Sequence, residues 1–272
     1  MSLESLVSAA YADRSLLADP AHRVAVFDTL AALDRGEVRV ATRDDDGSWR
    51  VHAWLKEAIL LYFALREMER IEVGPFEFRD KIPMKKDLEQ AGIRVVPPGV
   101  ARYGAFLEPG VVLMPGYVNL GAWVGPGTLI DSHALVGSCA QVGARVHVSA
   151  AAQIGGVIEP VGAMPVIVED DVLVGGNTGI YEGAVIKARA VIAAGTVLTG
   201  STPVYDLVHE RIIAPVAGEP LIVPEGAVVV PGARAVSVGA GREWGVSLAT
   251  PVIVKYRDAK TDTRTELERW IR

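Results

Sequence analysis

From Val100 onward an aliphatic side chain or Phe recurs at every sixth position: Val100, Phe106, Val112, Val118, Val124, Ile130, Val136, Val142, Val148 and Ile154. After a step of fourteen residues the series resumes with Val168, Val174, Ile180, Ile186, Ile192, Leu198 and Val204. Four positions after each early member stands a second, mostly small residue: Gly104, Gly110, Gly116, Ala122, Thr128, Ala134, Ala140, Val146 and Ala152. A period of six matches neither a 3.6-residue helix nor a single alternating strand. It matches the hexapeptide repeat of a parallel β-helix. Three hexads make one coil, so about eighteen residues, and coils stack about 4.8 Å apart. The recurring aliphatic residue is expected to face inward, and the small one to keep each turn free of clashes. A single coil cannot bury its own face, so stability must come from stacking.

The remainder divides around this repeat. Residues 1–93 are expected to form a mainly helical domain. Leu3, Leu6, Val7, Ala10 and Tyr11 recur at helix spacing, as do Val24, Phe27, Leu30 and Ala31. Asp19-Pro20 separates the two segments, with Pro at a helix start. Val38–Ala41 and Trp49–Val51 read as a hairpin around the Asp44-Asp45-Asp46-Gly47 tip. A third helix is expected from about Ala53 to Met68, and Gly74 to Lys86 reads as irregular. The β-helix is expected over 94–232. It breaks at Glu159–Pro165, where the register slips by two and the chain must loop out. Val223–Val229 returns to the hexad pattern. Residues 233–272 read as a capping segment, with a strand at Pro251–Tyr256 and a short helix at Thr263–Arg272.

Composition narrows the function classes. The net charge of −6 leaves no basic surface for nucleic acid. No apolar run is long enough to span a bilayer. The single cysteine, Cys139, excludes an internal disulfide and fits a reducing compartment. The first residues, MSLESLVSAAYADR, lack the pattern of a signal peptide, so a cytoplasmic protein is expected. Cys139 follows Gly137-Ser138 with no histidine in a motif beside it, and reads as a small packed thiol. His133 and His147 lie fourteen residues apart, not a whole number of hexads, so no metal site is expected.

Several stretches together resemble one family, the tetrahydrodipicolinate N-succinyltransferases. They are Val51–Leu61, Asp80–Lys85, Arg94–Pro98, Val111–Asn119, Ile130-Asp131-Ser132, Val136–Gly143, Gly155–Pro160 and Pro251–Lys255. The resemblance runs along nearly the whole chain. It implies a mainly β protein built on a left-handed parallel β-helix, with an N-terminal helical domain and a short C-terminal strand and helix segment. It also implies a homotrimer with sites between subunits, and an acyl-CoA-dependent transfer from succinyl-CoA to tetrahydrodipicolinate in lysine and diaminopimelate biosynthesis. No permanently bound cofactor is implied; the acyl-CoA is a co-substrate. By position, Arg94 matches an arginine that binds a substrate carboxylate. Asp131 matches the aspartate at the reacting amino group.

The chemistry of such a transfer suggests further candidates. A guanidinium holds a carboxylate by two parallel hydrogen bonds, which adds Arg102 to Arg94. Ser138 lies in the central signature and is a candidate for substrate binding. A carboxylate at the amine, here Asp131, orients it and accepts its proton. Gly155, Gly156 and Gly175 would let a ligand approach the backbone, and Asn177 and Lys187, with Arg189, are candidates on the coenzyme side. The 159–165 loop is a candidate shield for the pantetheine arm.

One stretch departs from the family. In Gly175-Gly176-Asn177-Thr178-Gly179-Ile180-Tyr181-Glu182-Gly183 the common succinyltransferase pattern has Arg at 177 and Glu at 179. The Gly-Asn pair and Val166–Gly175 look closer to tetrahydrodipicolinate N-acetyltransferases. Two alternatives therefore stand beside succinyl transfer: acetyl-CoA-dependent N-acetylation of the same or a related substrate, and a non-catalytic β-helix binding protein.

Overall fold

The computed structural model describes residues 1–214, 216 and 218–258. Helix α1 spans Leu3–Ala12 and is capped by the Ser2 side chain, which accepts from the Ser5 N–H. Helix α2 spans Pro20–Arg35, with Asp19 as N-cap and Pro20 in the first turn. Gly36 ends it in the left-handed conformation, with the Phe106 ring where a Cβ would stand. Helix α3, Ala53–Leu65, stops three residues before the expected Met68. The three helices share a core in which Val26, Leu30, Leu55, Ile59 and Leu61 pack on Leu120 and Cys139 of the β-helix. Part of the expected first hairpin strand lies outside it: the paired segments are Ala41–Arg43 and Trp49–Val51.

The stretch after α3 is more regular than its sequence suggested. Glu69–Val73 and Phe76–Asp80 form an antiparallel hairpin turned at Gly74-Pro75, so Gly74–Lys86 is not wholly irregular. Ile71 and Val73 alternate with charged residues, as a strand does. Prolines at 75 and 83 masked that short alternation.

The hexads form a left-handed parallel β-helix of three faces, each a ladder of two-residue strands. The docking face stacks Phe106, Trp123, Gln141, Ile167, Val185 and Ile222. The Asp131 face stacks Arg94, Val112, Leu129, His147, Leu173, Val191 and Val228. The Tyr181 face stacks Val100, Tyr117, Leu135, Gln153, Gly179 and Val197. Each of these residues faces outward and the next one inward. Val124, Ile130, Val136, Val142, Val148, Ile154 and Ile180 are fully buried in one continuous core. Each such side chain contributes on the order of 1.5–3 kcal/mol.

The first coils correct the expected register. Ala101, Leu107 and Leu113 are the inward residues, while Val100, Phe106 and Val112 lie half-buried outside. The turn after Leu113 is one residue short, so Val112 pairs with Leu129 instead of Ile130. Two adjacent apolar residues satisfy a six-residue count equally well, and only the docking of Phe106 against Trp123, ring centroids 4.5 Å apart, separates them.

Two excursions leave the stack. One lies between Ile154 and Ile167, and the other between Leu198 and Ile222. Both depart from the corner that joins the Tyr181 face to the docking face, here the insertion corner. The second carries Val204–Asp206 and Arg211–Ile213. A strand at Ser247–Tyr256 then pairs with Val204–Asp206 and, antiparallel, with Ala227–Ala235. The strand Ala227–Ala235 runs through the 232/233 boundary expected from sequence. The helix expected at Thr263–Arg272 falls outside the described residues.

Candidate active site

The sequence-selected residues do not converge on one point of the chain; they distribute over the corners of the prism. Asp131 ends a strand of its face, at the corner leading to the Tyr181 face. That corner is a column of left-handed residues, His133, Ala151 and Asn177, at φ 60°, 58° and 54°. Each N–H donates to the coil before it: His133 to the Pro115 carbonyl, Ala151 to Ser132 and Asn177 to Ala150, at 2.7, 2.9 and 3.1 Å. The Asp131 N–H donates to the Val148 carbonyl at 2.8 Å, which fixes the residue's backbone in the ladder. One carboxylate oxygen accepts from the Ser132 N–H at 2.6 Å. The other lies 3.9 Å from His147 Nε2 and is partly open to solvent. Asp131 thus makes the local turn contact usual for Asp and still presents an acceptor outward.

His147 enters the sequence reading only as a possible metal ligand, not as a neighbour of Asp131. It stacks directly on Leu129, one coil later, and so reaches the carboxylate two residues beyond Leu129. The readable signal was the eighteen-residue step from 129 to 147, not the fourteen residues separating it from His133. Arg94 lies on the same face, two rungs before Leu129, about 10 Å along the stack. It is exposed, and no carboxylate of the described residues lies within ion-pair distance of it. Gly175 and Asn177 join Asp131 at its corner, two coils on, with the Gly175 backbone pressed against Ala194. The arrangement offers a carboxylate to take a proton and, farther along the face, a guanidinium to hold an anion.

The remaining candidates stand elsewhere. Arg102 emerges on the Tyr181 face, where it pairs with Asp80 and donates to Asn119 Oδ1 at 3.1 Å. Ser138, Gly155 and Gly156 lie at the insertion corner, with Gly156 packed on the Gly137-Ser138 backbone. Lys187 lies at the third corner, between the docking and Asp131 faces. Its ammonium donates to Glu169 at 3.0 Å and to the Gly47 carbonyl at 3.4 Å, under the first hairpin. That commitment removes it from the Asp131 cluster, and Arg189 sits on the same third corner. Cys139 is wholly buried, and burial pushes its thiol up to about 12, as expected of a packed cysteine. Among the described residues no three His, Cys, Asp or Glu side chains come together to hold a metal ion.

At the insertion corner a groove of about 770 Å³ opens between the two excursions. Gly155, Val157, Pro160, Met164, Tyr181 and Pro220 line it, and Leu135 brings it onto the Tyr181 face.

Comparison with known proteins places this architecture. A model described as tetrahydrodipicolinate N-succinyltransferase N-terminal matches residues 2–65. A second, hexapeptide repeat of succinyl-transferase, matches residues 165–200. A Paracidovorax citrulli protein named 2,3,4,5-tetrahydropyridine-2,6-dicarboxylate N-succinyltransferase is 41% identical over 280 residues, 99% of this chain and 98% of its own. Proteins of the same name from an Azoarcus species and from Brucella melitensis are 43% and 42% identical, covering 99% and 100% of this chain and 98% and 97% of theirs. The chain belongs to the tetrahydrodipicolinate N-succinyltransferase family.

The stretch 177–179, set apart in the sequence, has a distinct physical form in the structure. Gly179 faces outward between Gln153 and Val197, and the Tyr181 ring folds back over it. A Cβ at Gly155 would also meet that ring, at 2.8 Å. An aromatic surface therefore covers the place where a side chain at position 179 would rise. Glu182 is turned to the next coil, accepting from the Gly200 N–H at 3.0 Å.

Proposed function

We propose that this protein transfers the succinyl group of succinyl-CoA to tetrahydrodipicolinate, giving N-succinyl-2-amino-6-oxopimelate in lysine and diaminopimelate biosynthesis. The observation that carries the reading is full-length membership of the family with Asp131 held open at a β-helix corner and Arg94 on the same face. Water first adds across the C=N bond of the cyclic substrate to give an amine. That nitrogen attacks the thioester carbon, the C–S bond breaks, the coenzyme leaves as its thiol, and the ring opens to the 6-oxo product. Asp131 orients the nitrogen and accepts its proton, with His147 behind the second carboxylate oxygen. Arg94 holds a substrate carboxylate. The groove at the insertion corner takes the pantetheine arm beneath the 159–165 loop.

In one chain the groove and Asp131 lie at opposite edges of the Tyr181 face. A homotrimer, in which the corner of one subunit meets the groove of its neighbour, brings them together. Exposed apolar side chains support association: Phe76 and Phe78 on the second hairpin, and Trp244, are 63%, 51% and 77% exposed. No helix of the described residues is long and apolar enough to cross a membrane, which fits action in the cytoplasm.

Asn177 and Gly179 favour a second reading, acetyl transfer to the same substrate, because a neutral acetyl group needs no arginine. Thiol release with tetrahydrodipicolinate, measured with succinyl-CoA and acetyl-CoA side by side, decides between them. A higher kcat/KM with succinyl-CoA supports the first reading, and a higher value with acetyl-CoA replaces it with the second. No release with either overturns both.

A further inference from the structure

Lys56 is the one lysine among the described residues that is buried completely. It sits on α3 at 0% exposure, beside the buried Cys139 thiol. Its ammonium has a single hydrogen-bond partner among the described residues, the Ala163 carbonyl at 2.6 Å, 107 positions along the chain. No carboxylate of the described residues pairs with it. Enclosing an ammonium on those terms is costly, and a side chain such as Met fills similar space without the cost. The burial therefore stands out as a feature that serves something other than the core of the helical domain.

What it reaches is the first excursion. Between residues 158 and 165 the loop makes one internal backbone bond, Ala163 N–H to the Pro160 carbonyl at 2.9 Å. The Lys56 contact is the only hydrogen bond of the described residues that ties this segment to the rest of the molecule. Apolar packing supplies the remaining anchors. Ile158 rests on the helical core, and Met164 on Ala41, Ile167 and Val185. Pro160, Ala163 and Met164 form one wall of the insertion-corner groove. The ammonium thus fixes the loop at the residue between its exposed outer limb, Glu159–Gly162, and its buried return at Pro165-Val166.

We propose that Lys56 is a positioning residue: from within the helical domain it latches the 159–165 loop and so holds the groove wall against which the acyl-CoA donor binds. The inference rests on the donor reading given above. It assigns the N-terminal domain a role in donor binding through a residue that touches neither substrate.

The test is Lys56→Met in the full-length protein, read by steady-state kinetics and by amide hydrogen exchange. KM for succinyl-CoA should rise at least fivefold, while kcat and KM for tetrahydrodipicolinate stay within twofold. Exchange in a peptide covering 158–165 should quicken at least tenfold, with α3 and the hexad strands unchanged. Unchanged donor KM with unchanged loop exchange overturns the latch. A general rise in exchange across α3 and its neighbours also overturns it, since the lysine then serves only the core. Should Lys56→Met fail to fold, Lys56→Gln keeps an N–H donor without the charge, and the same two readouts apply with the loop held. If the wild-type protein releases no thiol from any acyl-CoA, the proposed function fails, and loop exchange in the variant still decides whether Lys56 holds the loop.

Discussion

The Tyr181 ring occupies the space that a side chain at Gly179 would need. Position 179 faces outward in the Tyr181 ladder, and the nearest obstacle to a larger residue there is the ring. Gly179→Glu should therefore destabilise the protein by about 1–3 kcal/mol, the usual cost of overpacking. Adding Tyr181→Ala should recover most of the loss. Denaturant unfolding of the single and double variants checks this, and a Gly179→Glu protein as stable as wild type would contradict it.

Asp131→Asn keeps the shape and the contact with the Ser132 N–H but removes the proton acceptor. Turnover should fall at least about a hundredfold, the scale of losing a general base. The thermal midpoint should hardly move, because the ladder bond of residue 131 belongs to the backbone. Thiol release at saturating substrates is the measurement, and near-normal activity would remove Asp131 from the mechanism.

Arg94 is exposed on its strand with no carboxylate of the described residues to hold, so its substitution tests recognition without disturbing the fold. Arg94→Lys should raise KM for the dicarboxylate substrate about tenfold, since an ammonium lacks the two parallel donors of a guanidinium. KM for succinyl-CoA should stay unchanged. Equal effects on both substrates would place Arg94 elsewhere in the reaction.

Asp206 joins the second excursion to the strand ending at Tyr256. It accepts from His209 Nδ1 at 2.9 Å, the Tyr256 hydroxyl at 2.8 Å and Arg211 Nε at 3.1 Å. Burial alone pushes its carboxyl up, but these hydrogen bonds together outweigh burial and hold it well below the usual carboxylate range. A carboxyl lowered on folding stabilises the protein above its unfolded pKa, about 4, and loses that contribution as pH falls through the folded value. Wild-type stability should therefore drop as pH is lowered below about 4. Asp206→Asn should be less stable at neutral pH and show a shallower acid slope. Urea unfolding at a series of pH values measures both, and parallel slopes would refute the assignment.

The fold was largely legible because a six-residue apolar period has few structural solutions. The register of its first coils was not. Val100-Ala101, Phe106-Leu107 and Val112-Leu113 each offer two adjacent apolar residues, and the shortened turn before Val118 is visible only once strands are paired. The second hairpin is hard to read because its apolar residues lie mostly at the surface and Pro75 interrupts them. At the site, Asp131 and Arg94 were found through motif resemblance, whereas His147 required stacking arithmetic. Lys56 carried no signal, since an isolated lysine in a helix reads as a solvated one until its burial is known.

Both excursions leave the stack at one corner, and neither breaks a ladder. Gln141 still pairs with Ile167 across the first, and Val185 with Ile222 across the second. Because closing a longer loop adds only about 0.6 kcal/mol per doubling of its length, such a corner tolerates growth, trimming or replacement with little effect on the spine. Among the described residues the other two corners carry no excursion and join their strands by short turns. New binding surfaces can therefore be acquired at the insertion edge while the ladder that holds Asp131 is left in place.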